Sequence, residues 1–279
     1  MLSRLLLFCF ATFFKLPLLI LHGLGELFGR IAYQFDRRFK ERIDRNLKSA
    51  FHASNANDLK KITRLAIREI GKCLLEAPAI WFNSPQKNFR WVKQCYGWQY
   101  VEAALKRKKG IIFLTPHLGC FEITAQYYAH FQPITVLFKR PKQKWLANIV
   151  LSGRRHSQMH LAEANLHGVK QLIQALKKGE AIGVLPDQVP SEGQGIWARF
   201  FNTPAYTMTL ASKLAESSKA TVLIGFGHRL SKGQGYDIYI EPLGPDHSPQ
   251  GINDKLEILI RKYPAQYLWN YQRFKKSNT

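Results

Sequence analysis

The chain has 279 residues, 46% of them hydrophobic, so it is long enough to bury a full core and too apolar to be disordered. It carries 41 Lys and Arg against 19 Asp and Glu, a formal net charge of +22 that requires an anionic partner. Cys9, Cys73, Cys95 and Cys120 show no metal-ligand spacing and no secreted pattern, which argues against a zinc site and a disulfide framework.

The first 35 residues are dominated by Leu, Phe and Ile, and a basic cluster follows at 37–40. Lys15 and Pro17 interrupt the apolar run over 5–21. We predict a membrane anchor over residues 1–35. A single tilted span would leave the basic cluster and the rest of the chain on the cytoplasmic side, whereas an interfacial helix would lie in the membrane surface. A buried core helix is the alternative to both.

The basic charge has three candidate partners: nucleic acid, an anionic membrane and an acidic protein. The chain has no zinc-finger spacing, no RNA-binding sheet signature and no recognition-helix pattern, so no nucleic-acid partner is expected. The apolar N-terminus favours an anionic membrane surface instead.

Beyond the anchor, the hydrophobic periodicity predicts helices and strands that alternate along the chain. Helices are predicted over 58–81, 121–130, 167–178, 207–217 and 253–262, and strands over 111–114, 134–138, 181–185, 221–226 and 236–240. Alternation of this kind indicates an α/β protein with helices packed on a central sheet. Because no repeat or long linker divides it, the segment 36–279 is predicted to form one domain.

A histidine and a carboxylate follow the predicted strand 111–114. His117 and Glu122 would diverge by about 140° on one continuous helix, so His117 is predicted to lie in the turn and Glu122 in the helix after it. Glu122 could then hold one ring nitrogen and leave the other to take a proton from a hydroxyl. Cys120 lies inside this motif and is predicted to be a small buried residue rather than a nucleophile.

A second polar turn follows the predicted strand 181–185 and contains Asp187. Polar groups at the ends of two strands favour a site at the carboxyl edge of the sheet. Arg154, between the two motifs, suits a phosphate or a developing oxyanion. The alternative interpretations are that Asp187 caps a turn and that Arg154 is a solvated cation.

In this order, these motifs resemble the late, or secondary, acyltransferases of bacterial lipid A biosynthesis, of the lysophospholipid acyltransferase type. The resemblance covers most of the chain. It rests on the apolar N-terminus, the His117 to Glu122 motif, Arg154, the segment 176–180 leading to 186–188, the Phe200–Phe201 pair and the ending 266–275. The chain departs from the usual family pattern at Asn202, at 218–220 and at 270–273, which bears on the acceptor more than on the reaction.

The resemblance implies a glycerolipid acyltransferase-like α/β fold with a mixed central sheet, and transfer of a fatty acyl chain from an acyl-acyl carrier protein thioester to a hydroxyl of a lipid A precursor. His117 would be the general base and Glu122 its orienting carboxylate. Arg154 and backbone N–H groups near Gly119 would contact the oxyanion or a phosphate, and Asp187 would shape the site. No metal and no cofactor are expected. The expected location is the inner membrane, with the catalytic domain facing the cytoplasm.

Three alternatives remain at this point. The same chemistry could act on another glycolipid or on a glycerophospholipid. A hydrolase with Ser152 or Cys120 as nucleophile is less favoured, because no Gly-x-Ser-x-Gly elbow is present. A basic protein that binds a membrane surface without catalysis would also explain the charge and the apolar N-terminus.

Overall fold

A computed structural model describes residues 12–52, 55–154 and 158–274. Its centre is a seven-stranded sheet. The strands of this sheet are β1 Val92–Tyr96, β2 Ile111–Leu114, β3 Ile134–Phe138, β4 Met159–Glu163, β5 Ala181–Val184, β8 Thr221–Arg229 and β9 Tyr236–Pro242, in the order β1-β9-β8-β2-β5-β3-β4, and β6 and β7 form a separate hairpin described below. Strands β8, β2, β5, β3 and β4 run parallel, and β9 pairs antiparallel to β8, so the predicted mixed sheet is confirmed.

Helices cover both faces of this sheet. They are α1 Leu18–Phe35, α2 Arg37–Ala50, α3 Ala56–Phe82, α4 Pro85–Trp91, α5 Trp98–Lys106, α6 Phe121–Tyr128, α7 Lys144–Gly153, α8 Leu166–Lys177, α9 Leu210–Ser218 and α10 Pro249–Lys262. Side chains alternate along β2, so Ile112 and Leu114 pack with α8, α9 and α10 on one face. Ile111 and Phe113 pack with α5 and α6 on the other face.

Local sequence explains where several helices begin. The side chains of Asn55, Asn165 and Ser248 accept a hydrogen bond from a backbone N–H in the first turn of α3, α8 and α10, respectively. Strands β2 and β5 are buried along their whole length, which explains their short, continuous apolar sequences.

Some elements differ from the sequence-based expectation and others do not. The helix predicted over 58–81 is present as α3, Ala56–Phe82, with Pro78 inside it, and does not differ. The predicted helix 207–217 begins only at Leu210, because the preceding residues form one strand of a hairpin. This hairpin pairs β6 Gly195–Phe200 with β7 Thr203–Met208 outside the main sheet.

Helix α1 packs closely on α3 through three glycines. A Cβ at Gly71 would lie 1.9 Å from the carbonyl oxygen of Gly25, and one at Gly29 would lie 2.2 Å from that of Ile67. Only residues without a Cβ allow the two backbones to approach this far. The predicted anchor therefore includes a helix that is packed against the domain along one side.

The other side of α1 is apolar and exposed, including Leu27, Ile31 and Phe35. Among the residues that the structure describes, no helix combines the length and the apolarity needed to cross a membrane. A membrane-spanning anchor is therefore not confirmed. The first 11 residues of the predicted anchor lie outside the described part of the chain.

Candidate active site

The candidate site lies at the carboxyl edge of the parallel strands, where β2 and β5 end side by side. Leu114 pairs with Val184, and the backbone N–H of Thr115 donates to the Val184 carbonyl oxygen at 3.0 Å. His117 and Asp187 each follow three residues after the paired strand ends. Because both residues lie three positions beyond strand residues that pair with each other, they come together, although 70 residues separate them in the chain.

The imidazole of His117 is held at both nitrogens. Its Nδ1 lies 2.8 Å from Oδ1 of Asp187, and the backbone N–H of His117 donates to Oδ2 of the same carboxylate at 2.9 Å. Its Nε2 lies 3.0 Å from the side-chain nitrogen of Gln188. Because a carboxylate can only accept, it selects the tautomer with the proton on Nδ1, which leaves the Nε2 lone pair available as a base.

Asp187 is buried, with 2% of its surface exposed. Burial by itself would raise the pKa of this carboxyl group, but the electrostatic attraction of the His117 ring and hydrogen bonds from its ring and backbone outweigh burial and hold the pKa below the usual value. Burial also raises the pKa of the nearby Tyr267 phenol well above its usual value, and Asp187 adds to this rise. Asp187 is therefore an ionised group that orients the histidine.

Glu122 does not hold the ring of His117, and this corrects the geometry expected from the sequence. Its carboxylate accepts hydrogen bonds from Nε (2.9 Å) and Nη2 of Arg154, and from the indole N–H of Trp81 at 3.1 Å. The Arg154 guanidinium also lies 5.6 Å from the centre of the Trp81 ring. Glu122 lies in the first turn of α6, and its partners come from α3 and from the residue directly after α7.

Arg154 is therefore neither a solvated cation nor an unpaired anion contact. Its side chain is 18% exposed, and Glu122 neutralises it. Gly153 allows this placement, because a Cβ there would lie 2.2 Å from the Cβ of Trp81. The neighbouring Arg155 lies outside the described residues.

Two backbone N–H groups near Gly119 are already bonded within the protein. The N–H of Gly119 donates to the carbonyl oxygen of Gln266 at 2.9 Å, and that of Cys120 donates to Gly227 at 2.7 Å. Gly119 has φ +61°, and a Cβ there would lie 2.1 Å from the Gly227 carbonyl oxygen. Its role is to let the turn approach β8 closely.

Cys120 is 1% exposed, and burial raises the pKa of its thiol well above the usual value. The prediction that it is a small buried residue is confirmed. In the described part of the chain, no cluster of three or more His, Cys, Asp or Glu side chains suits a metal ion.

A cavity of about 640 Å³ opens beside His117. Its walls are the sheet face that carries Phe113 and the facing side of α6, and its polar rim contains His117, Glu122, Arg154 and Gln188. A mostly apolar cavity with a few convergent polar groups is typical of a site for a small molecule or a lipid chain.

Sequence reasoning missed the direct pairing of His117 with Asp187 and the contact of Gln188 with the ring. A signal was present: Thr115-Pro116-His117 and Leu185-Pro186-Asp187 stand at the same distance from the ends of two apolar strands. Trp81 and Tyr267 carried no comparable signal, because they reach the site from α3 and from the C-terminal segment.

The fold and the site together define an α/β protein in which a carboxylate-oriented histidine lies at the rim of an apolar cavity. This is the arrangement expected of an acyltransferase that activates a hydroxyl without an enzyme nucleophile. Comparisons with known proteins agree with this class. The family model for bacterial lipid A biosynthesis acyltransferase matches residues 2–276.

Three similar proteins come from Escherichia coli (strain K12). The lipid A biosynthesis lauroyltransferase is 26% identical over 274 residues, covering 94% of this chain and 87% of that protein. The palmitoleoyltransferase is 25% identical over 272 residues, with the same coverage, 94% and 87%. The myristoyltransferase is 23% identical over 258 residues, covering 86% and 76%. The chain belongs to the bacterial lipid A biosynthesis acyltransferase family and is an acyltransferase, which confirms the resemblance seen in its sequence.

Proposed function

We propose that this protein transfers a fatty acyl chain from an acyl-acyl carrier protein thioester to a hydroxyl group of a lipid A precursor. The observation that carries the proposal is the His117 ring, fixed by Asp187 at the rim of the apolar cavity. The family membership supports a lipid A acceptor. The relatives differ in the acyl chain that their names give, so the chain length is a separate question.

In the proposed reaction, the acceptor hydroxyl replaces the Gln188 amide at Nε2 of His117. His117 takes the hydroxyl proton while the oxygen attacks the thioester carbonyl carbon. The C–S bond then breaks, and the imidazolium returns the proton to the leaving thiolate, which departs as a thiol. Asp187 stays ionised throughout and stabilises the imidazolium.

The carbonyl oxygen becomes negatively charged when the hydroxyl attacks. The side-chain amide of Gln188 lies 3.0 Å from Nε2 in the free protein, so the incoming hydroxyl releases an N–H donor next to the reacting carbon. We propose this amide as a donor to the oxyanion, since the N–H groups of Gly119 and Cys120 are already bonded to other segments. Glu122 and Arg154 position the wall of the cavity formed by α6. A contact between Arg154 and an anionic group of the acceptor stays a prediction.

The positive charge is proposed to serve both the carrier protein and the membrane. Arg38, Arg42 and Arg45 lie along α2 and, with Glu41 and Gln272, line a concavity of about 330 Å³, where three cations against one carboxylate suit an acidic partner. The exposed apolar side of α1 is proposed to lie against the inner membrane, with the cavity facing the cytoplasm. Charge and apolar contact would then hold the enzyme where its acceptor lies.

The test is acyl transfer by the detergent-solubilised full chain, with lauroyl-acyl carrier protein as donor and a lipid A precursor as acceptor, measured by mass spectrometry of the lipid. His117→Ala should lower turnover by about 10²–10⁴-fold, because the hydroxyl loses its base. His160→Ala is the matched control, because this histidine is exposed on β4 and does not line the cavity. Undiminished transfer by His117→Ala would overturn the mechanism. Transfer to a glycerophospholipid but not to the lipid A precursor would establish the alternative acceptor.

A further inference from the structure

Two glycines lie in the floor of the cavity, inside strands of the main sheet. Gly183 is in β5 and Gly225 is in β8, and both are buried. A glycine inside a strand loses more conformational freedom on folding than other residues and contributes no side chain to packing. Both positions therefore need a reason to lack a side chain.

The backbone supplies no such reason. The pairing register runs without interruption through Gly183 in β5 and through Gly225 in β8, so neither residue forms a bulge. Neither glycine has a positive φ.

Packing against the protein supplies no reason either. A Cβ at Gly183 would meet Val136 first, at 3.4 Å, and one at Gly225 would meet Ile240 and Phe113 at 3.9 Å, all at ordinary van der Waals distance. Gly227, two residues further along β8, differs because a Cβ there would lie 2.7 Å from a backbone oxygen.

The missing side chains would enter the cavity. Val136, Ile240 and Phe113, the nearest neighbours of the two added Cβ atoms, all line it, as do both glycines themselves. Gly183 lies on the side towards β3 and Gly225 on the side towards β9, so the two glycines leave two separate parts of the floor open. The opposite face of the sheet is filled by core side chains such as Ile182, so the strands cannot shift away from the cavity to make room for an added methyl group.

We propose that Gly183 and Gly225 determine which acyl chain lengths the cavity accepts, by keeping its floor free of side chains. This inference rests on the proposed function, in which the fatty acyl chain of the donor occupies the cavity. An alanine at either position takes away the volume of a methyl group from a bound chain and changes neither His117 nor Asp187.

Gly183→Ala and Gly225→Ala should each shift acyl selectivity towards shorter chains. One methylene group in an apolar pocket changes selectivity by roughly 10–200-fold, so the ratio of kcat/KM for the longest accepted chain to that for a shorter one should fall by at least about 10-fold. Their thermal midpoints should equal that of the wild type or rise by up to about 3 °C, because alanine restricts the unfolded chain more than glycine does.

The experiment compares the wild type and both variants with a ladder of saturated acyl thioesters, from octanoyl to palmitoyl, and a common acceptor. A second readout, binding of the free fatty acids from octanoate to palmitate, does not depend on transfer. Ile182→Val, on the opposite face of β5, is the control for a small change in the core and should keep the wild-type length profile. Gly227→Ala should instead lower the thermal midpoint.

A shift towards shorter chains in both readouts supports the inference, and a shift at one glycine assigns the role to that position and removes it from the other. Unchanged profiles in folded variants overturn it. If the wild type binds fatty acids with a length limit that alanine shortens, but transfers no acyl chain from any of the thioesters, the proposed function fails while the role of the floor stands. If a variant does not fold, a second substitution can return the lost volume: Ile240→Val with Gly225→Ala, or Val136→Ala with Gly183→Ala. Each double variant should fold and should again accept the longer acyl chains.

Discussion

At the residue scale, one buried carboxylate, that of Asp187, sets the orientation and the tautomer of His117. Asp187 accepts from both the ring and the backbone of His117, so it fixes the orientation of the ring and the position of its proton. Glu122, the nearest carboxylate along the chain, is occupied by Arg154 and Trp81. The proposed acid–base function of this site therefore depends on a residue from the turn after the neighbouring strand β5.

Asp187→Asn is expected to lower turnover by about 10²–10⁴-fold, because an amide cannot stabilise the imidazolium. Steady-state kinetics with the acyl thioester checks this prediction, and Asp254→Asn, an exposed aspartate on α10, is the control. Turnover close to that of the wild type would show that Asp187 is not needed to orient His117.

The same variant should change acid stability. Folding lowers the pKa of Asp187 below its ordinary value of 3.8. Ionised Asp187 therefore stabilises the folded protein above the unfolded-state pKa. This contribution is lost as the pH falls through the lower pKa of the folded state. The free energy of unfolding of the wild type should thus decrease more steeply below about pH 4 than that of Asp187→Asn. Urea denaturation across this pH range measures the difference, and parallel curves would contradict it.

At the element scale, the Glu122–Arg154 pair joins α6, which forms a wall of the cavity, to α7. The two side chains are only 7% and 18% exposed. A double-mutant cycle with Glu122→Gln and Arg154→Ala should give a coupling free energy of about 0.5–3 kcal/mol, measured by chemical denaturation. The exposed Arg37–Glu41 pair on α2, with side chains 91% and 49% exposed, should show no measurable coupling. Additive effects of the two substitutions in the first pair would show that Glu122 and Arg154 do not stabilise each other.

The close contact between α1 and α3 is a second feature at this scale. Gly71→Ala places a Cβ where the Gly25 carbonyl oxygen lies, so it should separate the helices and destabilise the protein by about 1–3 kcal/mol. Gly23→Ala, on α1 with nothing within 4 Å of its added Cβ, should be neutral or stabilising by up to about 1 kcal/mol. Thermal unfolding and protease cleavage within α1 distinguish the two variants. Equal stability would show that the close crossing is dispensable.

At the scale of the whole molecule, the net charge of +22 and the exposed apolar side of α1 are both features that we propose to bind one partner, an anionic membrane surface. The wild type should bind vesicles that contain anionic lipid, and high salt should release it only in part, because apolar contacts are not screened. The combined variant Ile20→Ser, Leu27→Ser and Ile31→Ser should be released more completely.

Ile258→Ser, on α10, removes a still more exposed apolar side chain elsewhere and should behave like the wild type. Co-sedimentation with vesicles at low and high salt measures each fraction bound. Complete release of the wild type by salt would assign the binding to charge alone.

Sequence patterns were most reliable where one short apolar run forms one buried element. Strands 111–114 and 134–138 were predicted with the bounds that the structure shows, because their neighbours in the sheet only reinforce what the residues favour. The hairpin β6–β7 was missed, since Thr207 and Met208 suit a helix start as well as a strand. Its pairing partner, 195–200, decides between the two possibilities.

The sequence by itself determined that the chain forms an α/β domain, that His117 lies in a turn after a strand, and which family the protein belongs to, because these properties follow from local composition, periodicity and motif order. The tertiary structure decided which carboxylate serves the histidine. Asp187 reaches it because β2 and β5 are neighbours in the sheet, and Glu122 turns away because α3 and α7 offer Trp81 and Arg154. Hydrogen bonds depend on atoms being within about 3 Å of each other, and contacts between distant segments are set by the packing of the whole sheet.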